Sequence, residues 1–394
     1  MGLHYATILP LASLATAFIA LLAFPVDRRL HEKLARLSWA LAVAGWPIYV
    51  LAFINLDYRL AEVAGNASED LSLALRLGAS WSGSGSSLYL FSAALATASL
   101  AIARTLGAAF TLPSLAVFIA SMVAATLNGA FAVTEARGGL GLNPLLKSYW
   151  VVPHPLTTFT GYALALVASL AVAAGAPARL WRPLAVASWA FVSAGIALGA
   201  YWSYETFGWG GYWAWDPVEV SELMVWLGVT ALLHSTGSLE PFTRPLAALT
   251  VSSVMLALYV TRSGLSPLHS FAGPGLGNVV LLSGSIAALA SALALSYALM
   301  ARREFIGLRK VLESPGSTAL AVAALTLSAS FIFTYSTLLA PAALTVLGRG
   351  ATIPTMEAGA RFYAPPLIAA AITASMAMVI NLAGLTWRAT IAYR

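Results

Sequence analysis

The chain has no cysteine, so it supplies no disulfide, no thiolate metal site and no thiol nucleophile. Charge is almost as scarce: Asp, Glu, Lys and Arg make up 9% of the 394 residues, against roughly a quarter in soluble domains. No Walker loop, dinucleotide fingerprint, HExxH motif, serine-triad signature or internal repeat is present. Basic runs with interleaved aromatics are absent too, so no nucleic-acid partner is expected. The net charge of +6 is read instead as juxtamembrane lysine and arginine.

What the chain has in quantity is apolar residues, 60% of its length, with a mean hydropathy of +0.83. This predicts an all-α fold, a polytopic integral membrane helical bundle embedded in the lipid bilayer. Unbroken apolar runs of the ~20 residues that cross as a helix rule out a strand-based barrel. About eleven transmembrane helices are expected, at roughly 5–24, 37–56, 86–105, 112–134, 155–176, 183–204, 221–238, 242–261, 277–300, 316–340 and 363–386. The first begins almost at Met1 without a basic n-region or a small-residue cleavage site, and is read as a retained helix. Loop charge sets the orientation. Arg28, Arg29, Lys33, Arg36, Arg104, Arg179, Arg182, Arg244, Arg302, Arg303, Arg309, Lys310, Arg388 and Arg394 share one side; Glu62, Glu69, Asp70, Glu135, Glu205, Asp216, Glu219 and Glu357 share the other. The N-terminus is therefore expected outside and the C-terminus inside.

Residues 209–226, WGGYWAWDPVEVSELMVW, hold four tryptophans, adjacent glycines and an Asp-Pro step. Indole rings suit places where one end is apolar and the other wet, such as a membrane interface or a platform under a flat apolar ligand. An interfacial belt accounts for the tryptophans. It does not account for Gly210 and Gly211, which let a backbone approach something closely, or for the Asp-Pro-x-Glu that follows.

The expected topology puts this loop, His154 and His269 on the outer face. A lone loop histidine is ordinarily a solvated bystander. Two on one face, each near the start of a span and one locked in Pro153-His154-Pro155, form a pattern. Zinc would require three or four protein ligands, and no third outer His or Cys exists. Two axial nitrogens on a planar iron macrocycle need no further protein ligand. An aromatic shelf with two histidines thus points to haem. His234 is placed about 20 Å below the outer surface at 1.5 Å per residue, where an ionisable residue is a functional hypothesis by default and a helix-to-helix hydrogen bond is the plain alternative. His31 reads as an inner-surface residue, and His4 lies at the outer end of the first span. Residues 81–87, WSGSGSS, have a linker's composition but open the third span, where small residues also permit tight packing under a ligand.

With those residues in view, WGGYWAWDPVEVSELMVWL resembles the tryptophan-rich WWD signature of the haem-handling family that includes CcmF, CcmC and CcsA, and the CcmF type fits best. GLNPLLKSYWVVPHP (141–155) resembles the segment carrying the family's first external histidine, which falls on His154. TRSGLSPLHSFA (261–272) resembles the segment of the second, which falls on His269. LLHSTGS (232–238) resembles the segment with a membrane haem b histidine, which falls on His234. RLGASWSGSGSSLYLFS (76–92) resembles an upstream segment whose His-Glu is replaced here by Ser84-Gly85.

The resemblance implies one membrane domain over 1–394, with a haem-handling core at about 76–275, a WWD loop at 205–226 and C-terminal helices at 276–394. It implies a haem lyase subunit of the holocytochrome c synthase type in a prokaryotic-type plasma membrane, active on the outer face. Haem b is the substrate, brought by a haem chaperone, held by His154 and His269, and joined to the thiols of a CxxCH apocytochrome c alongside other maturation subunits. His154 and His269 are then the catalytic and metal-ligating residues, with His234 a third metal ligand. Trp209, Trp213 and Trp215 would pack the porphyrin, and Gly210 with Gly211 would allow close approach. Arg262 would pair with a propionate. Asp216, counted with this cofactor-binding loop, is expected to cap the helix starting near Pro217. No histidine follows His269, so an internal haem b lacks the family's second membrane ligand. Haem delivery without attachment, as in CcmC-like members, and a haem or organic-anion transporter are the rival expectations. A transporter would show broken helices and polar groups near the midplane.

Overall fold

The computed structural model describes residues 3–206, 208, 211–235, 237–266, 275–301, 312–349 and 356–383. Among them the chain is all-helical, with thirteen α-helices and no strand beyond a single bridge between Leu60 and Val133. The helices are α1 (Tyr5–Ala23), α2 (Arg28–Ile54), α3 (Ala61–Asn66), α4 (Leu73–Ala79), α5 (Ser84–Leu106), α6 (Ala108–Leu127) and α7 (Pro153–Ala173). They continue with α8 (Ala178–Thr206), α9 (Pro217–His234), α10 (Thr243–Val260), α11 (Leu276–Ala301), α12 (Pro315–Val346) and α13 (Met356–Leu382).

Ten of these are long and apolar enough to cross a membrane. Each expected span coincides with a long helix, but the seventh, now α9, falls outside the ten. It opens on Glu219 and Glu222 and closes on His234. The short α3 and α4 interrupt the connection from α2 to α5, where no helix was expected.

Local chemistry fixes the helix ends. Asp27 caps α2 by accepting from the amides of Arg29 and Leu30, Ser72 caps α4, and Ser314 with Ser317 forms a capping box on α12. Helix α5 starts at Gly83, which has no side chain to cap with. The Glu62 carboxylate of α3 does the work from outside, accepting from Gly85 N at 3.0 Å and Ser86 N at 3.2 Å. Residues 81–87 are thus a held helix start. A Cβ on Gly85 would lie 2.4 Å from the Ala130 backbone nitrogen, so the small residues serve close packing.

Helices α5, α7 and α10 form the buried centre. Around them lie the α1–α2 hairpin, α8, α11 and the α12–α13 hairpin. His31 corrects the sequence reading: it is fully buried, with Nδ1 2.9 Å from Ala20 O and Nε2 3.0 Å from Thr111 Oγ1. It joins α1, α2 and α6 and is no surface residue. His4 is buried too, its Nε2 3.0 Å from Asp57 Oδ2.

Candidate functional site

His154 sits in the first turn of α7, directly after Pro153. Proline fits a helix start because its φ is pre-set and the missing N–H would have no acceptor there. His154 Nδ1 lies 3.0 Å from Gly195 O on α8. A carbonyl only accepts, so the ring proton sits on Nδ1 and Nε2 carries the lone pair that a metal would use.

Two glycines let α8 come this close. A Cβ on Gly199 would lie 2.8 Å from His154 Cε1, and one on Gly195 would lie 2.5 Å from Thr158 Oγ1 and 2.6 Å from Glu222 Oε1. Four residues apart, they form the small-residue pair by which membrane helices approach. Thr158, one turn along from His154, donates to Glu222 Oε1 at 2.8 Å. A buried carboxylate of α9 is thereby held beside the histidine's own helix.

A cavity of about 130 Å³ opens here, bordered by Trp81, His154, Phe159, Trp202, Glu222 and Arg262. A smaller one, of about 40 Å³, is also bordered by His154 and reaches Ser203, Trp213 and Glu219. Trp202 and Glu222 border both, and the Trp202 ring meets the His154 ring edge-on at 5.7 Å. The indole nitrogens of Trp202 and Trp213 are buried without a hydrogen-bond partner among the described residues. An unpaired buried donor costs about 1–3 kcal/mol, so two indole N–H groups here favour a ligand that brings acceptors.

Arg262 follows α10 and is 1% exposed. Its guanidinium donates to Ser84 O at 3.1 Å, Leu258 O at 2.8 Å and Ser87 Oγ at 2.6 Å. Those acceptors are neutral, and no ion pair to Arg262 exists among the described residues. Burial pushes the guanidinium down to about 9, opposed by Tyr162 and Glu62, so it remains a cation at neutral pH. A desolvated cation bordering a cavity suits a carboxylate. Burial also raises the Glu62 carboxyl, while its bonds from Ser86 and Gly85 pull the other way.

The tryptophan loop divides its work. Trp213 borders the cavity beside His154. Trp215 stands edge-on to it at 5.8 Å and stacks on Tyr363 of α13, with centroids 5.6 Å apart and planes 15° apart. Its φ is +57°, a left-handed conformation costly for so bulky a residue. A Cβ on Gly359 would lie 2.5 Å from Trp215 Cβ, so that glycine makes the space. Gly211 is half-buried. Asp216 caps α9, its carboxylate accepting from Val218 N at 2.8 Å while Glu219 Oε2 accepts from Asp216 N at 3.1 Å. The Ser266 hydroxyl also donates to Asp216, tying the chain that leads towards residue 269 to the start of α9. Trp209, Gly210 and His269 lie outside the described residues.

His234 is elsewhere. It ends α9, its Nδ1 2.7 Å from Thr230 O, about 26 Å along the axis from Pro217 at 1.5 Å per residue. It borders a cavity of about 410 Å³ with Leu320, Met378 and Asn381. Sequence reasoning missed Trp202, Glu222 and Glu62. Gly195 and Gly199 carried a visible signal, the G-x-x-x-G spacing inside an apolar span.

Comparison with known proteins bears on this geometry. A family profile described as "Cytochrome C assembly protein" matches residues 81–269. The cytochrome c-type biogenesis protein CycK of Rhizobium meliloti (strain 1021) is 33% identical over 313 residues, covering 71% of this chain and 46% of the relative. The cytochrome c-type biogenesis protein CcmF of Escherichia coli (strain K12) is 31% identical over 286 residues, covering 65% and 44%. A solved structure titled "Cytochrome c Heme Lyase CcmF" superposes with a TM-score of 0.68 at 21% identity, over 93% of this chain and 60% of that one. The chain spans about half the length of the curated relatives it matches.

Proposed function

Since the chain belongs to the cytochrome c assembly protein family and is of the CcmF type, we propose that it serves cytochrome c biogenesis as a haem lyase subunit, with the His154 cavity as its haem site. The observation that carries this is the pairing of His154, its ring proton set on Nδ1 by Gly195 O, with the buried Arg262, which has no ion pair among the described residues, on the same cavity. With haem b as substrate, His154 and His269 would hold its iron, Arg262 and the indole N–H donors would take its propionates, and Trp209, Trp213, Gly210 and Gly211 would be the loop residues against its ring.

The chain's residues bind and orient. Each thiol of the CxxCH acceptor adds across one vinyl group: sulfur bonds to one carbon, its hydrogen goes to the other, and nothing leaves. No cysteine of the enzyme is required. Fixed ligation and a close-packed pocket hold the vinyl groups in register with the thiols, where effective concentration does most of the catalytic work. Glu222, held by Thr158, keeps the α7–α8–α9 junction in one arrangement.

The site end of the bundle carries Glu62, Glu69, Asp70, Glu135 and Glu205, and several of its cations are occupied. Arg59 pairs with Asp57 at 2.6 Å and Lys147 with Asp70 at 3.2 Å. Arg28, Arg29, Lys33, Arg36, Arg104, Arg179, Arg182 and Arg244 lie at the other end. This asymmetry supports our reading that the site faces outward from the cell membrane, where a haem chaperone, an apocytochrome c and partner subunits would meet it. On this reading the haem-handling core is about 76–275, followed by the C-terminal part of the chain.

The test is co-expression with a CxxCH apocytochrome, scored for haem that survives denaturing electrophoresis. Covalent haem that depends on this chain supports ligation. Haem reaching a chaperone while the acceptor stays unlabelled would replace ligation by delivery.

A further inference from the structure

Another cavity, of about 550 Å³, lies away from His154 among α9, α10, α11 and α12. Its walls include Phe242, Leu246, Leu249, Leu289, Leu293 and Ile332. Three of its serines are turned onto their own helices: Ser235 donates to Leu232 O, Ser296 to Ala292 O and Ser336 to Ile332 O. Nothing in the proposed haem chemistry uses it.

Its position follows from the helix directions. Helix α10 ends at the site and α11 starts there, Asn278 Nδ2 donating to Arg262 O at 2.7 Å. Phe242 and Ser296 therefore mark the opposite end. The roof is polar and closed. Tyr335 of α12 bonds Ser252 of α10 at 2.6 Å and Ser285 of α11 at 3.1 Å, and Tyr259 reaches Ala342 O at 3.3 Å. In the site half these contacts clamp α10 to α12. In the other half the helices stand apart, and the wedge between them is the cavity.

From the lining positions, the wedge runs about 10 Å along α10 (242–249) and α11 (289–296) and about 22 Å along α12 (324–339) at 1.5 Å per residue, bracketing the ~15 Å of hydrocarbon in one leaflet. It opens sideways to lipid, since Leu293, Leu325 and Ile332 on its rim are 61%, 56% and 52% exposed. The same end of the molecule carries Arg104, Arg179, Arg182 and Arg244, which favours an anionic headgroup at the surface below. A transmembrane helix would need the full ~30 Å and is stopped by the Tyr335 clamp.

We infer that this cavity binds one acyl chain of an anionic glycerophospholipid from the leaflet remote from His154. The chain replaces missing side-chain contacts between α10, α11 and α12 and asks for no hydrogen bond in return.

The test uses the full chain in nanodiscs of phosphatidylethanolamine and phosphatidylglycerol, with a trace of phosphatidylglycerol bearing a diazirine on its acyl chain. Photolysis and peptide mapping should concentrate adducts on Leu246, Leu249 and Leu289 relative to the exposed controls Ile368 and Ile372 of α13. Filling the wedge with Ala292→Trp should bring that labelling down to the control level. Ala324→Leu, a smaller filling, serves if the tryptophan variant does not insert. Labelling equal to the controls, or unchanged by a filling variant that inserts, overturns the inference. So does labelling displaced by an added isoprenoid quinone and not by unlabelled phospholipid.

Discussion

His154→Ala should abolish covalent haem attachment while the chain still inserts, because the ring borders two cavities and packs against α8, with Nδ1 3.0 Å from Gly195 O. Added imidazole should restore part of the haem binding; normal attachment by this variant would remove His154 from the ligand set. Gly199→Ala tests the same point from the other helix. A Cβ there would lie 2.8 Å from His154 Cε1, so the ring must turn or α8 must retreat. The expected result is a shifted haem spectrum with retained expression, and an unshifted spectrum would show that the ring does not face the iron. The two loop tryptophans should separate. Trp213→Ala opens the cavity and should weaken haem retention. Trp215→Ala removes a half-buried ring stacked on Tyr363 and should cost stability, by less than the about 3–5 kcal/mol of a fully packed aromatic, read as a lower melting temperature of apoprotein. The tryptophan cluster was legible in the sequence as a whole, but its division was not. Which indole faces a cavity is decided by the left-handed backbone at Trp215 and by Tyr363, 148 positions along the chain; neither leaves a local trace.

Helix α9 shows what local chemistry does reveal. Asp-Pro followed by Glu three positions after the Asp is a capping-box pattern, and the structure has both halves of it. Asp216→Ala should cost about 0.5–2 kcal/mol, the usual range for a lost N-cap, whereas Asp216→Asn keeps an oxygen for Val218 N and should cost little. A thermal scan of both variants checks this; equal losses would mean that the carboxylate charge matters beyond the cap. Helix α5 is the opposite case. Its cap, Glu62, is 21 positions before Gly83 and comes from a six-residue helix with no periodic apolar signature, so reading forward along the chain shows only glycine and serine. Apolar runs located the long helices because lipid demands them. The pieces that shape the site, α3, α4 and the Glu62 cap, lie where lipid makes no demand. A pH effect is expected in the same region. The Arg59 guanidinium hydrogen-bonded to Asp57 holds that carboxyl well below the usual range, aided by His4. A depressed carboxylate stabilises the fold at pH above its unfolded value of about 3.9 and loses that contribution as pH falls towards the folded value. Amide exchange in the first turn of α1 should therefore accelerate on acidification below about pH 4, and Asp57→Asn should flatten the dependence.

At the scale of the molecule, the two ends of α9 carry different chemistry. Glu219 and the preceding Trp213 border a His154 cavity, and His234 closes the far end beside a separate cavity. A low-spin haem there needs a second strong ligand, and the sequence offers no histidine after His269. His31 is committed to Ala20 O and Thr111, and His4 to Asp57 at the other end of the bundle. Met224 and Met255 are fully packed, with Met255 against Gly284. Met378, which helical spacing alone did not bring to His234, borders the same cavity, but a thioether with an imidazole is not a bis-histidine site. The purified protein is therefore expected to hold no stable bis-histidine haem in the membrane interior. The measurement is the reduced spectrum after His154→Ala and His269→Ala are combined. Loss of every sharp low-spin band is the expected outcome. A band that persists and vanishes on adding His234→Ala would establish a second haem, and its response to Met378→Leu would then say whether sulfur completes the pair. A band indifferent to Met378 would place the second nitrogen on a partner chain, and the lower end of α9 would become a docking point.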